Sequence, residues 1–183
     1  MIVLAIVLVI VVLIVLWLIK TYNGLVVLRN KVRDQWAQVD VLLKRRFDLI
    51  PNLVETVKGY ANHESQTFED VVAARNKFTS APTKEAEMEA AGELNNVLNR
   101  LFALAESYPD LKANENFNKL HDQLAETEDK IAYARQFYND AVLKYQNAIE
   151  VFPTNIVAGM FGFKPEKFFE VAEQEKEAPK VQF

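Results

Sequence analysis

The feature that most constrains this chain is an uninterrupted apolar run near its N-terminus. Residues Ile2 to Ile19 include no charged side chain, and Lys20 ends the run. In a helix, with a rise of about 1.5 Å per residue, the run extends roughly 27 Å, close to the thickness of a bilayer's hydrocarbon core. A buried core helix is the alternative, but this length and richness in Val and Ile fit lipid better. The run predicts a transmembrane anchor over residues 1–20.

The flanks of the run indicate an anchor that is retained and crosses the membrane once. A cleavable signal needs a basic region before the apolar stretch and a small-residue cleavage site after it, and Leu18–Tyr22 offers no such site. Trp17 and Tyr22 carry amphipathic rings, and Lys20 can extend its ammonium into water while its stem stays apolar. These three residues are the predicted membrane interface.

The charges beside the span predict its orientation. Lys20, Arg29, Lys31 and Arg33 follow it within about 20 residues, whereas the side before it carries only the terminal amine. The positive-inside rule then puts the N-terminus outside the cell membrane and the following domain in the cytoplasm. Insertion the other way round stays open as an alternative.

Composition excludes several classes of site and partner. The chain has no cysteine, so it can form no disulfide and use no thiolate as metal ligand or nucleophile. Its net charge is −4 and its isoelectric point is near 5.3. Because phosphate binding needs a concentrated positive field, we expect no nucleic acid partner.

After the anchor the sequence is helical in pattern. The whole chain has only five Gly and six Pro, and period-2 alternation is hard to find. The clearest apolar stripe runs from Phe117 to Phe152 in alternating steps of 3 and 4, which is typical of a bundle or coiled-coil helix. Asn114 or Asn116 is the predicted N-cap, and Pro153 is the predicted stop.

Three further helices are predicted before that one. One follows Pro82-Thr83 and ends at Pro109, and a shorter one lies between Asn62 and Thr79. The first, from Leu25 to Tyr60, contains Pro51, which predicts a kink or break near Phe47 to Ile50. A hinge at Asn23-Gly24 is also considered, against the alternative of one continuous rod.

These patterns predict an all-α fold with a single N-terminal transmembrane helix and an antiparallel four-helix-type bundle of long helices. The predicted domains are the anchor over residues 1–20, the bundle over residues 21–170 and a charged tail over residues 171–183.

The search for chemistry gives no catalytic set, no cofactor motif and no metal site. His63 and His121 lack the spacing of known ligand motifs, and we expect both at helix ends or on the surface. Lys44, Arg45 and Arg46 form the densest basic run, and we expect these cations to pair with carboxylates on neighbouring helices.

Five of the twelve phenylalanines lie between Phe152 and Phe169. One interpretation is a strap over an open end of the bundle, and the other is a surface that docks a partner subunit or lipid. The candidate partner surface consists of Phe161, Phe163, Phe168 and Phe169.

Several stretches resemble a known family when they are taken in order. They are Tyr22–Val26, Trp36–Val54, Leu104–Asn114, Phe152–Asn155 and Phe161–Phe163. Together with the span that precedes them, they closely resemble the bacterial LemA family, from the anchor to about Glu170. The resemblance implies a membrane-anchored helical bundle without an agreed activity, from a family associated with the cell envelope and, in one branch, with magnetosome membranes.

The resemblance also marks a central family motif: Arg45, Arg46, Asp48, Pro51 and Asn52. We expect Pro51 to free the carbonyl of Phe47. Arg45 or Arg46 then either caps such carbonyls or pairs with carboxylates across the bundle.

The expected function is structural: a non-enzymatic, self-assembling scaffold of the bacterial cell envelope. Its expected partners are the lipid bilayer and further copies of itself. The alternative is an adaptor that binds another membrane protein, such as a protease or sensor, through the bundle or the C-terminal aromatic stretch. An enzyme with an unrecognised carboxylate or histidine site is the third hypothesis.

Overall fold

The computed structural model describes residues 1–61 and 64–169, and within these ranges the protein is all-α, as predicted. The described residues form six helices and no strand. The helices are α1 (Ile2–Lys58), α2 (Ser65–Thr79), α3 (Lys84–Glu106), α4 (Pro109–Lys112), α5 (Glu115–Glu150) and α6 (Thr154–Met160).

Side-chain caps set the starts of the two long helices after α1. The Thr83 hydroxyl accepts a hydrogen bond from the Ala86 amide before α3. The Asn114 carboxamide oxygen accepts from the amides of Asn116 and Phe117 before α5. Both caps satisfy amides that the first turn of a helix leaves without an intrahelical partner. Asn114 is therefore the cap of α5, one of the two candidates that the sequence offered.

The first helix runs without interruption from the apolar run to Lys58. A break between Phe47 and Ile50 is excluded, and α1 also continues through Asn23-Gly24, while a kink near Phe47 to Ile50 stays a prediction. Pro51 lies on the exposed face, while Ile50 and Leu53 beside it are almost fully buried. Packing of those side chains offsets the lost backbone hydrogen bond, because tertiary context overrides a local helix penalty.

The helices form two compact units. Unit 1 contains Met1–Gln38 and Ala134–Phe168, so the first part of α1 packs with the last part of α5 and the segment that follows it. The Trp36 and Tyr138 rings meet at 5.5 Å between centroids. The core residues on the two helices are Leu25, Val32, Tyr138, Ala141, Val142 and Tyr145.

Unit 2 contains Val39–Tyr133 together with Phe169. Segments of α1, α2, α3 and α5 pack here as a four-helix arrangement. The Phe47 ring stacks on Phe78 of α2 at 3.8 Å, and α2 and α3 run antiparallel, since Lys77 pairs with Glu93 while Asp70 pairs with Arg100. The most buried core residues are Val39, Leu43, Ile50, Leu53, Val57, Val71, Ala90, Leu94, Leu101, Leu111 and Ile131.

The domain boundaries at residues 20 and 170 stay predictions. The proposed tail, residues 171–183, lies outside the described residues.

Candidate functional site

The apolar run is the most exposed part of α1. Its 18-residue window of highest mean hydropathy reaches 3.8, and none of that window is buried. Exposing so many valine and isoleucine side chains to water would be strongly unfavourable, because full burial of each one stabilises a protein by about 1.5–3 kcal/mol. By length and composition the run is a candidate membrane span, in agreement with the prediction.

The predicted membrane interface and the predicted partner surface meet in unit 1. The Tyr22 ring lies 4.8 Å from that of Phe161 and 5.7 Å from that of Phe163, in tilted and edge-on arrangements. Such geometries are favoured by the quadrupoles of aromatic rings. Lys20 and Trp17, the other two interface residues, are exposed.

The segment after α6 is bound to α5 by three hydrogen bonds to its backbone. The Tyr145 hydroxyl donates to the Lys164 carbonyl at 2.9 Å, and the Tyr138 hydroxyl donates to the Lys167 carbonyl at 2.8 Å. Between them the Gln146 amide donates to the Glu166 carbonyl. Residues 163–168, here called the strap, therefore lie along α5 in unit 1, and the expectation that this segment covers an open end of the bundle stays a prediction.

Two aromatic groups meet at the strap, the Phe163 ring of the strap itself and the Tyr145 phenol of α5. The Arg29 guanidinium lies over the Phe163 ring at 5.0 Å, a distance at which a cation is attracted to the ring face. Burial raises the pKa of the Tyr145 phenol, partly offset by the positive charge of Arg29. Phe163 and Phe169 are buried, so only Phe161 and Phe168 of the candidate partner surface are exposed.

Unit 2 contains the most deeply buried charge among the described residues. The Arg46 side chain is 2% exposed, and its Nη1 donates to Glu128 Oε2 and to Asn95 Oδ1, each at 2.6 Å. Nη2 donates to the Ala91 carbonyl at 3.0 Å. Arg46 therefore joins α1 to α3 and α5, which confirms for this residue the expected pairing with a carboxylate across the bundle.

Sequence reasoning missed that Arg46 occupies a core position. Its spacing from Leu43 and Ile50 is three and four residues, the same alternation that marks an apolar seam. A charged residue within such a seam is the signal that could have identified it.

The other motif residues lie on the surface of the same helix. Arg45, Asp48, Pro51 and Asn52 are exposed. Lys44 bonds to Asp40 one turn earlier on α1, at 2.6 Å, and this hydrogen bond raises the pKa of Lys44. The basic run thus divides between one buried interhelical cation and two exposed ones.

A cleft of about 240 Å³ lies beside the Arg46 cluster. His121 and Phe102 form part of its lining, with their rings 4.8 Å apart and nearly perpendicular. His121 is also half-exposed, and its nearest carboxylate is Asp122 at 3.9 Å. Within residues 1–61 and 64–169, no group of three or more histidine or acidic side chains is placed to hold a metal ion. His63 lies outside those ranges.

Comparisons with known proteins agree with the resemblance found in the sequence. The model of the LemA family matches residues 35–183. "Magnetosome protein MamQ 2" of Paramagnetospirillum magneticum is 26% identical over 179 residues, covering 84% of this chain and 66% of that protein. "Protein LemA" of Metamycoplasma hominis is 24% identical over 149 residues, covering 81% of this chain and 68% of that protein. The chain spans just under two thirds of the length of the magnetosome relative.

Proposed function

Because this chain belongs to the LemA family, we propose that it is a non-enzymatic structural protein of the bacterial cell envelope, held in the bilayer by α1. It acts as a scaffold by assembling with copies of itself. The observation that carries the proposal is that no part of the 18-residue apolar stretch of α1 is buried against the rest of the protein. Lipid covers such a surface without further protein, and side chains of neighbouring spans can also cover it.

The polar interior of unit 2 supports a structural role. The donors of Arg46 described above are all directed to acceptors within the protein, on α3 and α5. The cluster is therefore a device that holds three helices in register.

The names of two relatives support the proposed role at a membrane. Both are magnetosome proteins of Paramagnetospirillum magneticum, each 26% identical to this chain. For this chain we propose the broader role of organising a bacterial membrane.

Self-assembly is tested by energy transfer between labelled copies. The chain has no cysteine, so Ser80→Cys at an exposed loop position gives one labelling site in the full-length protein. Donor-labelled and acceptor-labelled protein are mixed in vesicles at low protein-to-lipid ratio. We expect transfer that excess unlabelled protein abolishes. Transfer no greater than that of a monomeric single-span protein would overturn the proposal.

We also propose that the residues after the span lie in the cytoplasm, since the basic residues cluster on that side. The same Ser80→Cys protein is treated in intact cells with a membrane-impermeant maleimide. We expect labelling only after the cells are permeabilised. Labelling in intact cells contradicts the assignment.

The adaptor hypothesis is the second candidate, because Arg45, Asp48 and Asn52 form an exposed polar face of α1 at spacings of three and four residues. Photo-crosslinking from Asn52 in native membranes tests it, with Glu55 on the same face as the neighbouring site. Recovery of one defined foreign membrane protein from both sites supports the adaptor, and recovery of self-crosslinks alone removes its support.

A further inference from the structure

The segment around α6 carries an exposed apolar stripe. Phe152, Ile156 and Met160 are spaced by four residues and are 76%, 52% and 68% exposed. Val157 and Ala158, in contrast, are buried. Side chains four residues apart share one face of a helix, so Ile156 and Met160 lie on one exposed face of α6, and Phe152 is exposed in the turn before the helix.

The sequence around the stripe has no charge. From Val151 to Phe163 every residue is uncharged, and the stretch is bounded by Glu150 and Lys164. An exposed apolar surface of this kind marks an interaction site more often than a water-facing one. Absence of charge on both faces favours an apolar occupant.

Unit 1 places this stripe beside the end of the apolar run. The first part of α1 and the last part of α5 run antiparallel, because Trp36 meets Tyr138 while Tyr22, fourteen residues earlier in α1, meets Phe161 just after α6. Tyr22 follows Ile19 by three residues, about 4.5 Å along a helix. The α6 segment is therefore level with the boundary between the span and the rest of α1.

From this geometry we propose that α6 lies in the interface of the same bilayer that α1 crosses, with Phe152, Ile156 and Met160 directed into the lipid. Phe161 follows Met160 directly in the sequence, and its exposed ring contacts Tyr22, three residues after the apolar run of α1 ends. Lys20 and Lys164, which bound the two apolar stretches, are exposed and suited to meet lipid headgroups. The inference rests on the proposed membrane anchoring and adds a second contact with lipid.

A fluorescent probe at single cysteines tests the contact in the full-length protein. Ile156→Cys carries the probe in vesicles of phosphatidylcholine and phosphatidylglycerol that contain nitroxide-labelled lipids. Leu143→Cys is the matched control, since Leu143 is 50% exposed, against 52% for Ile156. It lies on α5 seven residues before that helix ends at Glu150, about 10 Å away along the helix. We expect quenching by shallow nitroxides at least threefold greater for Ile156 than for Leu143.

Two further probes separate the possible failures. Val9→Cys reports on the anchor itself, and Met160→Cys repeats the test of the stripe where Ile156→Cys perturbs folding. If Val9 is quenched while positions 156 and 160 match Leu143, the proposal is overturned and the anchor stands. If Val9 is not quenched either, the membrane anchoring fails and this inference fails with it. Disulfide-linked dimers of the unlabelled Ile156→Cys protein, together with no lipid quenching of the labelled protein, would show that a second copy covers the stripe, which also overturns the proposal.

Discussion

Arg46 shows how a single charge can specify the packing of several helices. A buried guanidinium is costly to remove from water, and its hydrogen bonds to Glu128, Asn95 and Ala91 offset that cost only in one arrangement. Helices that slip along one another would lose these bonds while leaving the charge buried. We therefore interpret Arg46 as a residue that fixes the register of α1 against α3 and α5.

Removing the carboxylate should be more harmful than removing an exposed one nearby. Glu128→Ala leaves the Arg46 charge buried without its counterion, and we expect a loss of on the order of 3 kcal/mol in unfolding free energy. Glu126→Ala is the control, because Glu126 pairs with Lys130 one turn later on the exposed surface of α5. We expect its loss to be much smaller, because an exposed ion pair contributes little to stability. Chemical denaturation in detergent measures both, and equal losses would contradict the assigned role.

The strap is the element that depends most on individual hydroxyl groups. Tyr145 and Tyr138 each contribute one hydrogen bond to its backbone. Tyr145→Phe removes a hydrogen bond to a carbonyl, and we expect a loss of about 1 kcal/mol near neutral pH. Tyr133→Phe on the same helix, where the ring is 66% exposed, should cost much less.

The pH dependence of this loss follows from the raised pKa of Tyr145. A phenol whose pKa is higher in the folded state than its ordinary value of 10.0 holds its proton more tightly when folded. The stability that this phenol contributes is therefore complete below about pH 10 and is lost as the pH rises from there through the higher pKa of the folded state, because the unfolded chain releases its proton first. We expect the difference between wild type and Tyr145→Phe to shrink above this pH. A constant difference in thermal melts would argue against the buried hydroxyl as its source.

Pro51 lowers the stability of helix α1, and replacing it with alanine should raise that stability. Pro51→Ala restores an amide able to donate to the Phe47 carbonyl, and Pro51 is exposed, so no packing is lost. Relative to alanine, proline costs about 3 kcal/mol within a helix. Replacing it also frees the unfolded chain, which lowers the stability gain by about 0.4–1 kcal/mol. We expect a clear rise in melting temperature by circular dichroism, larger than for Asn52→Ala. Unchanged stability and unchanged assembly would refute the idea that Pro51 frees that carbonyl.

The starts of α3 and α5 could be predicted from the sequence, because residues close to each start determine it. Thr83 and Asn114 act at fixed offsets from the first turn, and the alternating apolar steps of α5 repeat for its whole length. The continuity of α1 through Pro51 did not follow, because it depends on packing by Ile50 and Leu53. The path of the strap also depends on distant partners, since its backbone carbonyls bond to side chains on α5.

At the scale of the whole molecule, the apolar run should determine where the protein is found. Ile6, Ile10 and Leu13 are all exposed within it. Each arginine in their place costs about 3 kcal/mol at the bilayer centre, against a gain of about 0.5 kcal/mol per apolar residue. We expect wild type to resist alkaline carbonate extraction and the triple arginine variant to be extracted. Val27→Arg, at a position 66% exposed beyond the run, should behave as wild type, and equal extraction of all three proteins would contradict the anchor.

The pairing within unit 1 also imposes an order on synthesis. Tyr22 and Phe161 are in contact but about 140 positions apart, so at about 5–20 residues per second a ribosome needs roughly 7–28 s between them. The span emerges and can enter the bilayer long before the end of α5 exists. Throughout that interval the side of α1 that carries Leu25 and Val32 is not yet covered by α5. Unit 1 therefore closes late, against a helix that the membrane already holds.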